Sequence, residues 1–142
     1  MKIDAIQNGI VIDHITAGKG MEIYNLLKLY KQDCPIALLM NASSEKMGKK
    51  DIIKLNGEVH IDMDALGYVD PNATVAIIRD SKVVEKRTLA LPKRLTNVIK
   101  CKNPRCITTT EQELEHVFRL ANREKAIYRC IYCDSEAPRT GK

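Results

Sequence analysis

Cys101-Lys102-Asn103-Pro104-Arg105-Cys106 and, after a gap of 23 residues, Cys130-Ile131-Tyr132-Cys133 form the stretch that decides the fold of the C-terminal part. C-x4-C and C-x2-C spacings each place two sulfurs on one tight turn, and two such turns surround a metal ion tetrahedrally. An all-sulfur site leaves no position for water, so we expect one structural zinc ion per chain. The predicted ligands are Cys101, Cys106, Cys130 and Cys133.

Two disulfides and a rubredoxin-like iron site are the alternatives to zinc. Disulfides need an oxidising compartment. Met1-Lys2-Ile3-Asp4 leads into a charged, alternating segment without the apolar stretch of a secretory signal. The sequence therefore favours zinc and predicts a cytoplasmic location.

Composition narrows the possible partners. The net charge is +5, with 14 basic and 12 acidic side chains in residues 1–99 and nine and six in residues 100–142. A nucleic-acid footprint is normally a dense basic stripe, and only five Tyr and one Phe are available for stacking. No apolar run approaches the roughly 18 residues of a membrane span. We therefore expect neither a nucleic-acid nor a membrane partner.

The 142 residues divide into two predicted domains, 1–98 and 99–142. At 44 residues the second domain is too small for a hydrophobic core to suffice, and metal binding normally supplies the missing free energy of folding. Residues 91–100 are expected to be a connector between the two.

The first domain mixes strand and helix patterns. Apolar residues at i, i+3, i+4 and i+7 predict a helix over 21–30, and one or two helical turns are expected over 62–68. Asn8-Gly9 predicts a hairpin before the strand 10–15. Further strands are predicted at 36–40 (central), 51–55, 74–78 and 82–86, with a polar loop at 41–50. The last two strands are expected to pair as a hairpin through Arg79-Asp80-Ser81. The class is α+β, an antiparallel sheet with two helices.

Residues 110–122 carry conflicting signals. Thr110-Glu-Gln-Glu113 has the form of a helix capping box, and Leu114, Val117, Phe118 and Ala121 follow at helical spacing. The local pattern alone therefore favours a helix there.

Several segments together resemble one family, the regulatory chain of bacterial and archaeal aspartate carbamoyltransferase. The likeness covers nearly the whole chain. Its segments, ahead of the two cysteine pairs, are Gly9-x-Val11-Ile12-Asp13-His14-Ile15, Glu45-Lys-Met-Gly48-x-Lys50-Asp51-x-Ile53-Lys54, Pro71-x-Ala73-Thr74-Val75, Val83-Val84-x-Lys86 and Leu91-Pro92-x-Arg94-x-x-Asn97-Val98.

The resemblance implies a non-catalytic allosteric subunit in pyrimidine biosynthesis, with a ferredoxin-like first domain that binds CTP, ATP and UTP. It implies a homodimer of regulatory chains that bridges catalytic chains, and strands rather than a helix over 113–122. Lys86 and His14 are expected at the phosphates, and Asp13 and Lys54 at the ribose. Ile6 and Val83 would border the base, with Asp4 at the edge of the site and Val11 beneath it.

The resemblance also makes the zinc module the part that docks on the catalytic chain. Asn103, Arg105 and Asp134, in the loops that the metal shapes, are the expected polar contacts. A zinc-ribbon protein that binds nucleic acid is the alternative from another class, and its affinity would fall steeply with salt. A nucleotide-processing enzyme lacks support, because the sequence has no glycine-rich phosphate loop and no open metal site.

Overall fold

The computed structural model describes residues 7–137, and the chain divides into two compact units, Met1–Ala90 and Leu91–Lys142. Asp4 and Ile6 lie outside the described residues. No helix among residues 7–137 is long and apolar enough to cross a membrane.

Unit 1 is a five-stranded antiparallel sheet with two helices. Its elements in chain order are β1 (Gly9–Thr16), α1 (Gly20–Leu26), a 3-10 turn (Leu29–Lys31), β2 (Ile36–Ser44), β3 (Gly48–Asn56), α2 (Met63–Val69), β4 (Thr74–Arg79) and β5 (Lys82–Thr88). The strand order is β2-β3-β1-β4-β5. Without β5, this is the order of the βαββαβ ferredoxin-like sandwich, so the predicted fold class is confirmed.

One face of the sheet is the core. Alternate residues of β1, β3 and β4 are buried there together with Ile23 of α1 and Leu66 of α2. Among the strand residues, the buried apolar side chains are Ile10, Ile12, Ile15, Ile53, Leu55 and Val75. Both helices therefore cover this face, and the alternate strand residues form the opposite one, which we call the open face.

Tertiary pairing changed several local predictions. Both edges of β1 are occupied from Gly9 onward, by β3 and by β4, so the predicted Asn8-Gly9 hairpin cannot pair there. β2 is an edge strand rather than a central one, and residues predicted as a polar loop extend it to Ser44 and start β3 at Gly48. The first helix ends at Leu26, because Lys28 adopts a left-handed backbone with φ of 53°.

The hairpin between β4 and β5 forms as predicted. Asp80 and Ser81 at its tip both have positive φ, 51° and 64°. That pair of angles is typical of the two-residue turn whose twist matches the strands it joins.

Unit 2 is a three-stranded antiparallel sheet, in the order β6-β7-β8, beside the cysteine loops. Its elements are β6 (Arg94–Thr96), the short helix α3 (Ile107–Thr110), β7 (Val117–Asn122) and β8 (Ile127–Cys130). The helix favoured by the local pattern does not form. Thr110 ends α3 instead of capping a new helix, and residues from Val117 form a strand, as the family resemblance implied. The expected connector contains β6.

Candidate functional site

A straight row of residues crosses the open face of unit 1. Val11 pairs with Lys54 of β3 and with Ala76 of β4, and Ala76 in turn pairs with Lys86 of β5. Directly paired residues in antiparallel strands point to the same face. The two lysines therefore flank a small-residue centre made by Val11 and Ala76. Their backbones are three strand spacings apart, about 14 Å.

Two neighbouring rows complete the open face. Asp13 pairs with Thr74, which pairs with Thr88, and on the other side Gly9 pairs with Ile78, which pairs with Val83. Val83 is 51% exposed. Five of the sequence-predicted residues, Val11, Asp13, Lys54, Val83 and Lys86, thus share one face.

A β-bulge brings the His14 side chain to the open face. The register of β1 against β3 shifts between Ile12 and Ile15, and His14 has a left-handed φ of 55°. Its Nδ1 lies 2.9 Å from the hydroxyl of Thr74, the residue paired with Asp13. Bulges commonly re-aim a side chain in this way. Asp13 and His14 are consecutive in sequence and yet both reach the open face.

Asp13 forms an ion pair with Lys50, which is not among the predicted site residues. Lys50 Nζ lies 2.9 Å from Asp13 Oδ1, and the His14 amide donates to the same oxygen at 2.6 Å. Burial raises the pKa of the Asp13 carboxyl, but the hydrogen bonds from Lys50 and His14 and their positive charges outweigh it and lower the pKa below 3.8. Lys50 lies in the segment Glu45–Lys54, which resembles the family, and this resemblance was the sequence signal that could have identified it.

Two fully buried carboxylates hold the turn that follows His14. Asp51 accepts hydrogen bonds from the backbone amides of Gly18 (3.1 Å), Gly20 (2.9 Å) and Asn41 (3.0 Å). Asp70 accepts from the amide of Thr16 at 2.6 Å. Both carboxylates are 0% exposed. They fasten the end of β1, the start of α1 and the bulge of β2 to one another, which fixes the backbone beside Asp13 and His14.

Gly20 is required at the start of α1. A Cβ built there would lie 2.8 Å from Asp51 Oδ2 and 2.9 Å from Leu38 Cδ1. Any larger residue would push the buried carboxylate away from the amides it accepts.

The four predicted metal ligands come together in unit 2. All four sulfurs lie within 4.8 Å of one another, with Cys101 and Cys133 3.5 Å apart and Cys106 and Cys130 3.7 Å apart. A tetrahedral ion with Zn–S bonds of about 2.3 Å needs sulfurs about 3.8 Å apart. The donor set and the spacing therefore fit zinc, and the fit needs no disulfide, since all four cysteines are free.

The thiols differ in acidity. Burial raises the pKa of Cys101 to about 12. At Cys133, burial is outweighed by hydrogen bonds from Ser135 and Asn103, which lower the pKa to about 6. The lowered pKa favours the thiolate form of Cys133, and a bound dication deprotonates any thiol that ligates it.

The three predicted partner contacts lie in the loops beside the cluster. Asn103 donates from Nδ2 to the Ser135 hydroxyl at 3.1 Å, and its Oδ1 accepts from the Arg105 amide at 3.0 Å. Asp134 pairs with Arg119 Nη2 at 2.6 Å and remains 67% exposed. Arg105 is exposed. Asn103 thus helps to hold the two cysteine loops together.

Two known protein families match this chain, one in each of the two units. The family "Aspartate carbamoyltransferase regulatory chain, allosteric domain" matches residues 1–90, and "Aspartate carbamoyltransferase regulatory chain, metal binding domain" matches residues 93–140. An allosteric domain followed by a metal-binding domain is thus the architecture of a regulatory, non-catalytic subunit.

Curated relatives match this chain over nearly all of their length. The aspartate carbamoyltransferase regulatory chain of Clostridium acetobutylicum is 51% identical over 134 residues, which cover 94% of this chain and 92% of the relative. That of Clostridium tetani is 51% identical over 135 residues (94% of each chain), and that of Bifidobacterium longum 45% over 137 (96% and 99%). The chain belongs to the family of aspartate carbamoyltransferase regulatory chains. Zinc is the structural metal of this family, and the four cysteines lie close enough together to hold one ion. A catalytic chain is the partner of this regulatory chain.

Proposed function

We propose that unit 1 binds the nucleoside triphosphates CTP, ATP and UTP on the open face and that this binding regulates the catalytic chain. The observation that carries the proposal is the row Lys54–Val11–Ala76–Lys86, with Asp13 and His14 beside it. Cations suit phosphates, a carboxylate suits ribose hydroxyls, and a centre of small residues leaves room for a flat ligand.

The roles are those that the family resemblance implies. Lys86 and His14 contact phosphate oxygens, and Asp13 and Lys54 frame the ribose. Since Lys54 and Lys86 start about 14 Å apart, each serves a different part of one ligand. Val11 lies beneath the ligand and Val83 at the base. Asp4 and Ile6 are assigned to the same site from the family likeness alone.

The direct test is calorimetric titration of the full chain with each nucleotide. Asp13→Ala removes a hydroxyl acceptor, so the preference for a ribonucleotide over its deoxy form should fall more than the affinity for triphosphate. Absence of binding at millimolar CTP, ATP and UTP contradicts the assignment. The urea unfolding curve of the variant serves as its folding control, because the zinc site lies in the other unit and does not report on unit 1.

We also propose that the zinc module docks on the catalytic chain through an apolar patch, Ile107, Ile131 and Tyr132. These side chains are 50%, 39% and 46% exposed, and each is next to or between zinc ligands in sequence. Asn103, Arg105 and Asp134 provide the polar rim, an arrangement common at protein interfaces.

Gel filtration with the carbamoyltransferase chain of the same host tests the docking proposal. Tyr132→Ser and Arg105→Ala should weaken the complex, with the larger effect at the apolar centre. Lys125→Ala, an exposed cation in the turn between β7 and β8, is the matched control. A patch variant that co-elutes like the parent at every concentration contradicts this surface.

We further propose that regulatory chains pair through unit 1 and act in the cytoplasm, where the five free cysteines stay reduced. β2 has an unpaired edge within the described residues, and Met40 on it is 53% exposed. Such edges readily pair with a second chain. Sedimentation of the full chain at micromolar concentration should give a dimer that Met40→Glu weakens, and a monomeric parent chain contradicts the pairing.

A further inference from the structure

The zinc cluster has a buried half and a more accessible half. Cys106 and Cys130 are each 1% exposed, whereas Cys101 is 5% exposed and Cys133 is half-buried. Four thiolates on one dication carry a surplus of negative charge, and water cannot reach the buried sulfurs to offset it. Hydrogen-bond donors from the protein must therefore do so.

Three of the sulfurs receive hydrogen bonds from the two cysteine loops and the residues that follow them. Cys101 accepts from the Asn103 amide, Cys130 from the amides of Tyr132 and Cys133, and Cys133 from Ser135. These contacts follow from the tight turns that bring each cysteine pair together.

Cys106 accepts from a side chain. The Thr108 hydroxyl oxygen lies 3.0 Å from the Cys106 sulfur, and Thr108 is 2% exposed. A thiolate bound to zinc has no proton, so the hydroxyl must be the donor. The contact lies in an environment where a lost partner is not replaced by water.

α3 contains three consecutive threonines with three different contacts. The Thr109 hydroxyl donates to the carbonyls of Asn103 (2.6 Å) and Cys106 (2.8 Å), and the exposed Thr110 hydroxyl donates to the Ile107 carbonyl at 3.1 Å. Among these three, Thr108 is the one that faces sulfur.

We propose that Thr108 is a positioning residue of the zinc site, whose hydroxyl holds the Cys106 thiolate in its ligating orientation and withdraws part of its charge. Zinc retention therefore depends on this hydroxyl, although it is not itself a ligand. Removing such a partner of a metal ligand typically costs about 10- to 100-fold in metal affinity.

The test is zinc transfer from the full chain to a chromogenic chelator, measured as a rate and as a competition constant. Thr108→Val keeps the shape and loses the donor, and we expect zinc to be held about 10-fold less tightly. Thr108→Ser keeps the donor and should retain zinc like the parent. Thr110→Val is the matched control and should also behave like the parent.

Cobalt substitution separates the hydroxyl from a packing effect. Loss of the hydrogen bond leaves the Cys106 sulfur richer in electrons, so the sulfur-to-cobalt charge-transfer band should move to lower energy in Thr108→Val and return in Thr108→Ser. If Thr108→Val does not fold with zinc, Thr108→Ala replaces it. Parent-like retention with an unmoved band, or equal losses in Thr110→Val, overturns the proposal.

Discussion

Lys86→Ala is the most informative single change in unit 1. Lys86 ends the row Lys54–Val11–Ala76–Lys86, and its exposed side chain keeps part of its hydration when it meets a phosphate. A hydrogen bond to a charged group contributes about 1.5–3 kcal/mol, and exposure favours the lower end, about 1.5–2 kcal/mol. Since about 1.4 kcal/mol is a factor of ten, CTP should bind roughly 10- to 30-fold more weakly.

Calorimetric titration of the full chain measures this change. Lys82→Ala is the matched control, because Lys82 lies on the same strand, pairs with Arg79 and so points to the opposite face from Lys86. The loss in Lys86→Ala should shrink at high salt, since an exposed contact is screened. Parent-like affinity in Lys86→Ala, or an equal loss in Lys82→Ala, would refute the assignment of the open face.

Three further predictions concern the zinc site and the buried and paired carboxylates. Cys101→Ser should lose zinc by elemental analysis and unfold unit 2 while CTP titration of unit 1 is unchanged; full zinc retention contradicts the ligand set. Asp51→Ala should lower the free energy of unfolding in urea by about 3 kcal/mol, because the buried Gly20 amide loses its acceptor. A loss below about 1 kcal/mol would contradict the stabilising role of the Asp51 hydrogen bonds. For Asp13, the pKa is lowered in the folded state by Lys50, so its stabilising effect is complete above the ordinary value of 3.8 and disappears as the pH falls through the lower folded value. The melting temperature of Asp13→Asn should therefore lie below that of the parent at neutral pH and approach it as the pH falls below 3.8, and a difference that stays constant over this range would count against the pairing.

The sequence by itself determined what depends on residue type and spacing. Cys101, Cys106, Cys130 and Cys133 identify a four-thiolate site because tight turns between short pairs permit little other geometry. The β4–β5 hairpin was likewise predictable, since Asp80 and Ser81 form a turn that needs only local backbone conformation. The strand–helix order followed from a change in apolar periodicity, and that order predicted an antiparallel α+β class, whereas the ferredoxin-like arrangement was implied by the family resemblance.

Tertiary structure decided what depends on pairing partners. Asn8-Gly9 has the local chemistry of a hairpin, but β3 and β4 occupy both edges of β1. Helical spacing after Thr110 was overridden because Val117 and Phe118 are buried in the small sheet of unit 2. Local propensities differ by a few tenths of a kcal/mol per residue, whereas burying one large apolar side chain contributes about 1.5–3 kcal/mol.

Several contacts within the proposed effector site also came from the fold. Sequence alone does not show that Lys50 reaches Asp13, that a bulge turns His14 onto the open face, or that Asp51 fastens the turn beyond it. Each of these features involves segments that are distant in the sequence, and the pairing and register of the strands decide which of their residues meet. The physical reason is that a spacing motif fixes neighbours along the chain, while a site built across a sheet is fixed by which strands pair and in what register.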